Sequence, residues 1–401
     1  MSLTRREVVS AMGMGVLSAI GAPEVLSQVK QTAGKSPGNV TTPNIFHSST
    51  SVVSIPQSPV LKGIRWLEEE RPYGEMDKRG DTFPITWSSD NNLYTSAGDP
   101  VWPDKGSGLD LECLIGMAPS YRVERINPMT TYSGWGGCGP KPTGFISVEG
   151  TLYLAFQNMT GISNLPPNPL DIMMIYGHGY DAQIVQSRDF GKTWQPDVSA
   201  LDKPMFPGRT FGAPAFINYG RDNEGARDNY VYAISGEGWD NGSHLRLGRV
   251  PRTDILSAGR WEWVSSIGTG NTPTWSAHLG EASAVLTHPG YLGYVDMVYV
   301  HRLRRYLVLS WHHKVKCNPD AGSELIVYDS PEPWGPFTLV HHEDPWESPE
   351  LNPYNPRLPL KWFDQTTLQG WIVFSGSWRS GGKTPTYRMH TRPFQLLTTS
   401  A

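Results

Sequence analysis

The sequence has few charges, few cysteines and no long apolar run. Only 18% of its 401 residues are charged, and 34 Lys and Arg against 38 Asp and Glu give a formal net charge of −4. It contains no basic block, so nucleic acid is excluded as the main partner. No apolar run approaches the roughly 18 residues of a membrane-spanning helix, which excludes an integral membrane protein.

Cysteine-based metal sites are also excluded. Cys113, Cys138 and Cys317 are the only cysteines, and no two of them have metal-ligand spacing. In an oxidising compartment Cys113 and Cys138 could pair, leaving one thiol over. The sequence contains no H-E-x-x-H motif, EF-hand loop or P-loop. We therefore predict no required cofactor and no metal at the site.

Aromatic residues, glycine and proline are abundant instead. The chain has 15 Trp, 17 Tyr and 12 Phe, together with 42 Gly and 34 Pro. Aromatic side chains favour strands, whereas glycine and proline favour turns. This composition predicts a β-rich protein with many turns.

The first 59 residues are predicted to lie outside the folded domain. Arg5 and Arg6 precede the weakly apolar stretch 8–22, which is the order of a signal peptide. Residues 1–25 resemble a twin-arginine signal, with an ordinary amphipathic helix as the alternative. Residues 26–59 are rich in Ser, Thr and Pro and are predicted to form a linker. We therefore expect export to the periplasm or the extracellular space.

A β-hairpin pattern recurs five times in the remaining chain. The copies begin at Asp81, Gly144, Ala213, Val295 and Leu360, at intervals of 63 to 82 residues, and further strand-like runs follow each hairpin. Four-stranded units repeated about a centre are the blades of a β-propeller. We predict an all-β, five-bladed propeller over residues 60–398. The alternative, a β-sandwich, would have shorter and more even spacing.

One local motif is specific. Residues 187–194 read SRDFGKTW and match S-x-D-x-G-x-T-W, the Asp box of sialidase-like propellers. Asp189 is predicted to accept backbone N–H groups in a tight turn, Gly191 to adopt positive φ, and Trp194 to pack between blades. We assign Asp189 a structural role, not a catalytic one.

Three further segments carry a family resemblance. Residues 80–87 read GDTFPITW, residues 92–99 read NLYTSAGD and residues 333–337 read PWGPF. With the export signal, they resemble a bacterial propeller family that is similar to the five-bladed arabinanase and levansucrase glycosidases and includes some endo-D-arabinanases. The resemblance covers residues 64–397 and implies the fold more strongly than the substrate.

Four acidic residues are the candidate catalytic groups. Asp81 opens the first inner strand, where the similar glycosidases place their general base or nucleophile. Asp99 could face it across the hairpin and set its pKa or orientation. Glu237, between two glycines, is a candidate general acid that would need a raised pKa. Asp296 is an acid within a predicted inner strand and needs a partner there.

The loops at the same face supply candidate ligand-binding groups. Sugar chemistry needs carboxyl groups together with aromatic faces and planar donors. The predicted substrate-binding residues are Lys141, Arg209, Trp239, Asp240, His178, His312, Trp378 and Arg379. Lys141 and Arg209 depart from the resembled family, which has acids on the second and third inner strands, so only Asp81 matches by position.

These residues favour a glycoside hydrolase acting on a polysaccharide or oligosaccharide in the propeller funnel. A polysaccharide lyase is an alternative, with His178, Tyr180, His312 or His313 as base and Arg209, Lys141 or Arg379 holding a uronate. A third reading is a non-catalytic sugar-binding propeller using Trp87, Trp239 and Trp378. Each of these functions is compatible with a structural ion in the central channel, near His278.

Overall fold

The protein is all-β over the residues that its structure describes. The computed structural model describes residues 54–68, 71–72, 80–100, 108–129, 140–157, 180–197, 201, 203–315, 318–347, 351–377 and 386–399. The predicted signal peptide and most of the predicted linker lie outside these residues. Among them, the helical segments are short 3₁₀ turns, at Arg221–Asn223, Ala258–Arg260, Leu279–Glu281 and Leu360–Trp362. No helix in this part of the chain is both long and apolar enough to cross a membrane.

The strands follow one another in groups, and within each group neighbouring strands are antiparallel. The first group contains β3 (Ile85–Trp87), β4 (Leu93–Thr95), β5 (Leu111–Ile115) and β6 (Arg122–Asn127). The second contains β7 (Lys141–Val148), β8 (Thr151–Gln157) and β9 (Gln183–Ser187). The third contains β10 (Ala213–Asn218), β11 (Tyr230–Gly236), β12 (Gly242–Pro251), β13 (Glu262–Gly268), β14 (Thr272–Ser276) and β15 (Ala284–Leu292).

The fourth and fifth groups complete the order. The fourth contains β16 (Asp296–Val300), β17 (Arg305–Val315), β18 (Asn318–Ser330) and β19 (Thr338–Glu343). The fifth contains β20 (Tyr354–Arg357), β21 (Phe363–Asp364), β22 (Gln369–Ser375) and β23 (Met389–Thr398), with β1 (Leu61–Trp66) and β2 (Arg71–Pro72) from the start of the domain. Because β1 pairs with β23 through Leu61 and Thr398, the two ends of the domain share one sheet.

The first strands of neighbouring groups contact one another, and we call the region where they meet the centre. β10 and β16 pair in parallel through Ile217 and Met297. Thr86 of β3 donates its hydroxyl to Asn218 of β10 at 3.1 Å and accepts the N–H of Ser147 of β7 at 3.0 Å. Side-chain hydrogen bonds therefore join strands that do not share a ladder.

β20 reaches the same centre through Arg357. Its Nε donates to the carbonyl oxygen of Thr82 at 3.0 Å, and Nη1 donates to the carbonyl oxygen of Val295 at 2.7 Å. The fifth group is thereby linked to the first and the fourth.

The central strands are buried on both faces, although their sequences are not uniformly apolar. All eight residues of β7 and all six of β10 are buried. Strands that are buried on both faces usually have continuous apolar sequences. β7 nevertheless begins with Lys141, a residue type that is almost never fully buried without a partner. The burial of this lysine points to a specific arrangement at the end where the first strands begin.

The predicted fifth repeat begins at the wrong residue. We expected Leu360 to open its first strand, but Leu360–Trp362 is a 3₁₀ turn and the strand that reaches the centre is β20. Pro356 and Pro359 lack N–H groups, so a regular ladder cannot run through this segment. The fifth prediction is met in part, because Phe363–Asp364 (β21) pairs with β22. The other four predicted hairpins coincide with β3–β4, β7–β8, β10–β11 and β16–β17.

The S-x-D-x-G-x-T-W motif forms the tight turn expected of it. Asp189 accepts the Thr193 N–H at 2.9 Å and the Thr193 hydroxyl at 2.7 Å. Gly191 has φ of 88°, and the Trp194 ring lies 6.3 Å from the ring of Phe145 in β7. A Cβ on Gly191 would lie 1.7 Å from Cδ2 of Leu111. Both the backbone conformation and the packing therefore require glycine at this position.

We predict that Gly191→Ala lowers the free energy of unfolding by about 2–4 kcal/mol, because positive φ and overpacking both oppose the methyl group. Gly270→Ala is the matched control, since Gly270 has φ of 78° but no atom within 4 Å of its Cβ position. Urea denaturation of both variants measures the difference. Equal losses would contradict the packing part of this explanation.

Candidate functional site

Asp81 is a fully buried carboxylate at the end where the first strands begin. Its side chain is 0% exposed. Its backbone N–H donates to Gly98 at 2.8 Å, and Gly98 donates back at 2.7 Å, which fixes Asp81 against the end of the β4 strand. The hydroxyl of Tyr354 donates to Asp81 Oδ2 at 3.2 Å. The carboxylate is thus held by the first and fifth strand groups together.

Lys141 and Asp99 form an ion pair beside Asp81. The Lys141 ammonium contacts Asp99 Oδ1, although the lysine side chain is only 4% exposed and that of Asp99 is 36% exposed. Tyr387 donates its hydroxyl to Asp99 Oδ2 at 3.3 Å. We call Asp81, Asp99, Lys141, Tyr354 and Tyr387 the Asp81 cluster.

Gly98 allows these groups to approach each other. A Cβ at Gly98 would lie 2.4 Å from Asp81 Oδ1 and 3.4 Å from Lys141 Nζ. The missing side chain therefore leaves room for a carboxylate and an ammonium on the same side of the hairpin. Lys141 can therefore pair with Asp99, the next residue along the chain, beside the Asp81 carboxylate.

The backbone around Asp81 is strained. Thr82 has φ of 71°, Phe83 has φ of 37° and Asp99 has φ of 51°. Positive φ is unfavourable for a β-branched residue such as Thr82, and residues in such regions cost on the order of 1–3 kcal/mol each. The Thr82 N–H is held by the hydroxyl of Ser375 at 3.0 Å. Such strain is concentrated at functional sites in proteins, which marks this segment as a candidate.

Asp296 and Arg357 lie in the centre and are both buried. Asp296 Oδ2 accepts the Leu358 N–H at 2.8 Å. Burial raises the pKa of Asp296, and the nearby Arg357 guanidinium and backbone hydrogen bonds oppose that rise. Burial likewise lowers the pKa of Arg357, against the effect of Asp296. These contacts give Asp296 the partner that an acid in a buried strand needs and link β16 to β20.

Trp239 and Asp240 are buried, contrary to the expectation that they face a ligand. Trp239 is 3% exposed, and its ring packs edge-on against Trp311 and Tyr354 with centroids 5.2 and 5.8 Å apart. Asp240 is 0% exposed and accepts the backbone N–H of His313 at 3.0 Å. The sequence prediction failed here because a Gly-flanked loop was assumed to be open. Trp239 therefore cannot serve as a stacking surface for a sugar in this structure.

Glu237 is held by groups that favour its charged form. Oε1 accepts the Ser243 N–H at 3.0 Å, Nδ1 of His244 lies 3.1 Å away, and Arg246 donates to Oε2 at 3.2 Å. Burial alone would raise the pKa of Glu237, but these hydrogen bonds outweigh it and lower the pKa. A general acid needs the opposite shift. The raised pKa expected from the sequence is not supplied by these surroundings.

His312 is paired with a carboxylate, and His313 is kept neutral by burial. His312 is 7% exposed, and its Nε2 lies 3.2 Å from Glu324, whose Oε2 is also 2.5 Å from Nε2 of His342. His313 is 0% exposed, and burial lowers its pKa to about 3. One histidine is therefore paired and the other is held neutral inside the core.

The remaining candidates are not brought into the Asp81 cluster. Arg209 is exposed ahead of β10, and His278 is exposed beside a 3₁₀ turn. Trp87 lies at the far end of β3, where its Nε1 donates to Asn91 at 2.9 Å. Cys113 is buried. Five predicted residues lie outside the described part of the chain, namely His178, Trp378, Arg379, Cys138 and Cys317.

Metal-binding geometry is absent from the described ranges, where no three His, Cys, Asp or Glu side chains form a group that could hold an ion.

Two tyrosines of the cluster were missed at the sequence level. Tyr354 was overlooked because the fifth repeat was started at Leu360, six residues too late. The signal that could have located it is the repeated Asn-Pro dipeptide at 352–353 and 355–356. Asn352 and Asn355 both have positive φ, of 37° and 53°, as expected for asparagine in irregular backbone. Tyr387 has no comparable signal, because only the folded chain brings it to Asp99.

Comparison with known proteins gives structural similarity only. The chain matches no protein-family model, and no curated protein matches its sequence. It is similar to an α-L-arabinofuranosidase from Podospora anserina solved in complex with cellotriose, at 11% identity and a TM-score of 0.47, covering 85% of this chain and 99% of that one. It is also similar to the GH43_1 enzyme from Xanthomonas citri, at 16% identity and a TM-score of 0.47, covering 83% and 91%.

A third similar structure is the catalytic domain of a GH62 α-L-arabinofuranosidase from Coprinopsis cinerea. The identity is 12% and the TM-score 0.46, over 86% of this chain and 98% of that domain. At these levels of similarity no residue role passes from those enzymes to this chain.

We predict that Glu237 stabilises the fold most at neutral pH. Its pKa is lowered in the folded state, so its contribution is present above the ordinary value of 4.5 and is lost as the pH falls through the lowered value. The difference in unfolding free energy between the wild type and Glu237→Gln should shrink on acidification, as measured by urea denaturation across pH. Glu224→Gln, at an exposed position, is the control. A difference that is constant with pH would contradict the assignment.

Proposed function

We propose that the protein is a glycoside hydrolase that cleaves a neutral polysaccharide or oligosaccharide, with Asp81 as general base or nucleophile. The observation that carries the proposal is the Asp81 carboxylate itself. It is fully buried, bonded by Tyr354 and placed next to the Lys141–Asp99 ion pair. Backbone strain at Thr82 and Phe83 adds to this, since strain of this kind accompanies functional sites.

We propose that the five strand groups are the blades of a five-bladed propeller. The central contacts among β3, β7, β10, β16 and β20 support this arrangement. In such a fold the first strands begin at the funnel face, and Asp81, Lys141 and Tyr354 all lie at or near the beginning of a first strand. The Asp81 cluster would then form the funnel floor, where a glycan could reach the exposed side of Asp99.

Hydrolysis of a glycosidic bond needs two carboxyl groups near the scissile bond. Asp81 and Asp99 are the described pair at the proposed floor. The positive charge of Lys141 balances the negative charge of Asp99. The Asp99 carboxylate can therefore lie near the Asp81 carboxylate without strong repulsion between them. We assign Asp81 the base or nucleophile role and Asp99 the role of setting the charge and orientation around it. The general acid that protonates the leaving-group oxygen is then a third group, outside this pair.

The charge balance favours a neutral glycan over a uronate. In the described part of the floor, Lys141 is paired with Asp99, and Arg357 lies beside Asp296. A lyase needs an unpaired cation for the uronate carboxylate and a base that is strong enough to take the α-proton. His312 is paired with Glu324 and His313 is buried with a pKa of about 3. These features give the lyase alternative less support than hydrolysis.

A purely sugar-binding role also has less support. It would use exposed aromatic faces, but Trp239 is buried in the core and Trp87 lies at the far end of β3. Export by a twin-arginine-like signal, followed by a linker and a propeller at 60–398, stays part of the proposal. Detection of the processed protein in the periplasmic or culture fraction would test that part.

We predict that Asp81→Asn lowers kcat by about 100-fold or more with little change in KM, because the amide keeps the shape but cannot accept a proton or attack carbon. The assay is release of reducing ends from a panel of neutral and uronate-containing polysaccharides.

The matched control is Asp364→Asn. Asp364 is exposed at the end of β21 and accepts the Thr366 N–H at 2.7 Å. It pairs with Gln369, at the opposite end of β22 from Ser375. The substitution should leave the rate unchanged. Full activity of Asp81→Asn on a cleaved glycan would remove Asp81 from the mechanism, and absence of cleavage of every glycan by the wild type would overturn the hydrolase assignment.

A further inference from the structure

Tyr354 links the Asp81 carboxylate directly to the aromatic core of the described residues. It lies in β20 of the fifth group, 0% exposed, and its hydroxyl points across to the first group. Its ring is enclosed by Trp311, Trp239 and His313, with centroids 5.3, 5.8 and 6.2 Å away. These three rings come from the third and fourth strand groups, whereas Asp81 and Tyr354 belong to the first and fifth. Residues from four of the five groups therefore form or surround this one hydrogen bond.

The packing leaves the Tyr354 side chain little freedom. Aromatic rings in such edge-on and tilted arrangements interact specifically as well as through buried area. The backbone is also constrained, since the following residue Asn355 has φ of 53° and Pro356 fixes the next φ. The hydroxyl is therefore presented to Asp81 Oδ2 at a set distance of 3.2 Å.

We infer that Tyr354 is a positioning residue for Asp81: its hydroxyl holds the carboxylate in the orientation and charge state used in the reaction. The inference rests on the proposed hydrolase function. A hydroxyl that donates to an ionised carboxylate favours the charged form and restricts its rotation. Tyr354 itself does not touch the scissile bond, so it acts through Asp81.

The kinetic test compares Tyr354→Phe with Tyr219→Phe. The first change removes only the hydroxyl that reaches Asp81. Tyr219 is the matched control, because it is also buried and its hydroxyl also makes a 3.2 Å hydrogen bond, to Tyr306, in a cluster separate from Asp81. Both variants should lose a similar amount of stability.

Only Tyr354→Phe should change catalysis. We expect kcat to fall by roughly 10- to 100-fold with KM nearly unchanged. The acid limb of the pH–rate profile should move to higher pH, because a carboxylate that has lost a donor binds a proton more readily. Equal kinetic parameters for Tyr354→Phe and the wild type would overturn the inference, as would an equal loss of kcat in Tyr219→Phe.

A second readout does not depend on activity. In protein labelled with carbon-13 at the aspartate carboxyl groups, the Asp81 signal is identified by its loss in Asp81→Asn and titrated by NMR. Its midpoint should move to higher pH in Tyr354→Phe and stay in place in Tyr219→Phe. An unmoved midpoint in both contradicts the role of Tyr354, even if no glycan is cleaved. If the Asp81 midpoint moves in Tyr354→Phe but the wild type cleaves no glycan, the role of Tyr354 in holding Asp81 is supported and the proposed hydrolase activity is contradicted.

Discussion

Burying the carboxylate of Asp81 is the constraint on which the rest of the site depends. A charged group removed from water is costly unless it is hydrogen-bonded and its charge is balanced nearby. Here the hydroxyl of Tyr354 donates to the carboxylate, and the Lys141–Asp99 ion pair lies beside it. Tyr354 and Lys141 come from distant parts of the chain. Folding of the first group around Asp81 is therefore coupled to the correct placement of the second and fifth groups.

This constraint explains several features that otherwise look unfavourable. Lys141 can be buried at the start of β7 because its ammonium forms an ion pair with Asp99. Gly98 carries no side chain because a Cβ there would overlap Asp81. Thr82 and Phe83 keep positive φ because Ser375 and the surrounding core hold them. Each of these departs from a local preference, and together they surround one carboxylate.

Sequence reasoning located much of the fold because the hairpins are local. Four of the five predicted hairpins coincide with observed strand pairs, since alternating aromatic and β-branched residues around short turns define them. The start of the fifth was misplaced because Pro356 lies within β20 and Pro359 follows it, which removes the regular strand pattern. Asp81 and Asp99 could be proposed from the sequence because both flank the first hairpin and carry the chemistry expected there.

The rest of the site depends on contacts between distant residues. Nothing local shows that Trp239, between a glycine and an acid, packs against Trp311 and Tyr354. The pKa of Glu237 depends on closer neighbours: burial raises it, and His244 and Arg246, seven and nine positions along the chain, lower it. The Tyr354–Asp81 contact spans 273 positions of the sequence and has no local signature.

The most direct measurement is mass spectrometry of the products formed from a glycan panel in oxygen-18 water. Hydrolysis at the Asp81 cluster predicts saturated oligosaccharides that each carry one oxygen-18 at the newly formed end. Unsaturated products without the label, or glycans that bind and stay intact, would contradict the account.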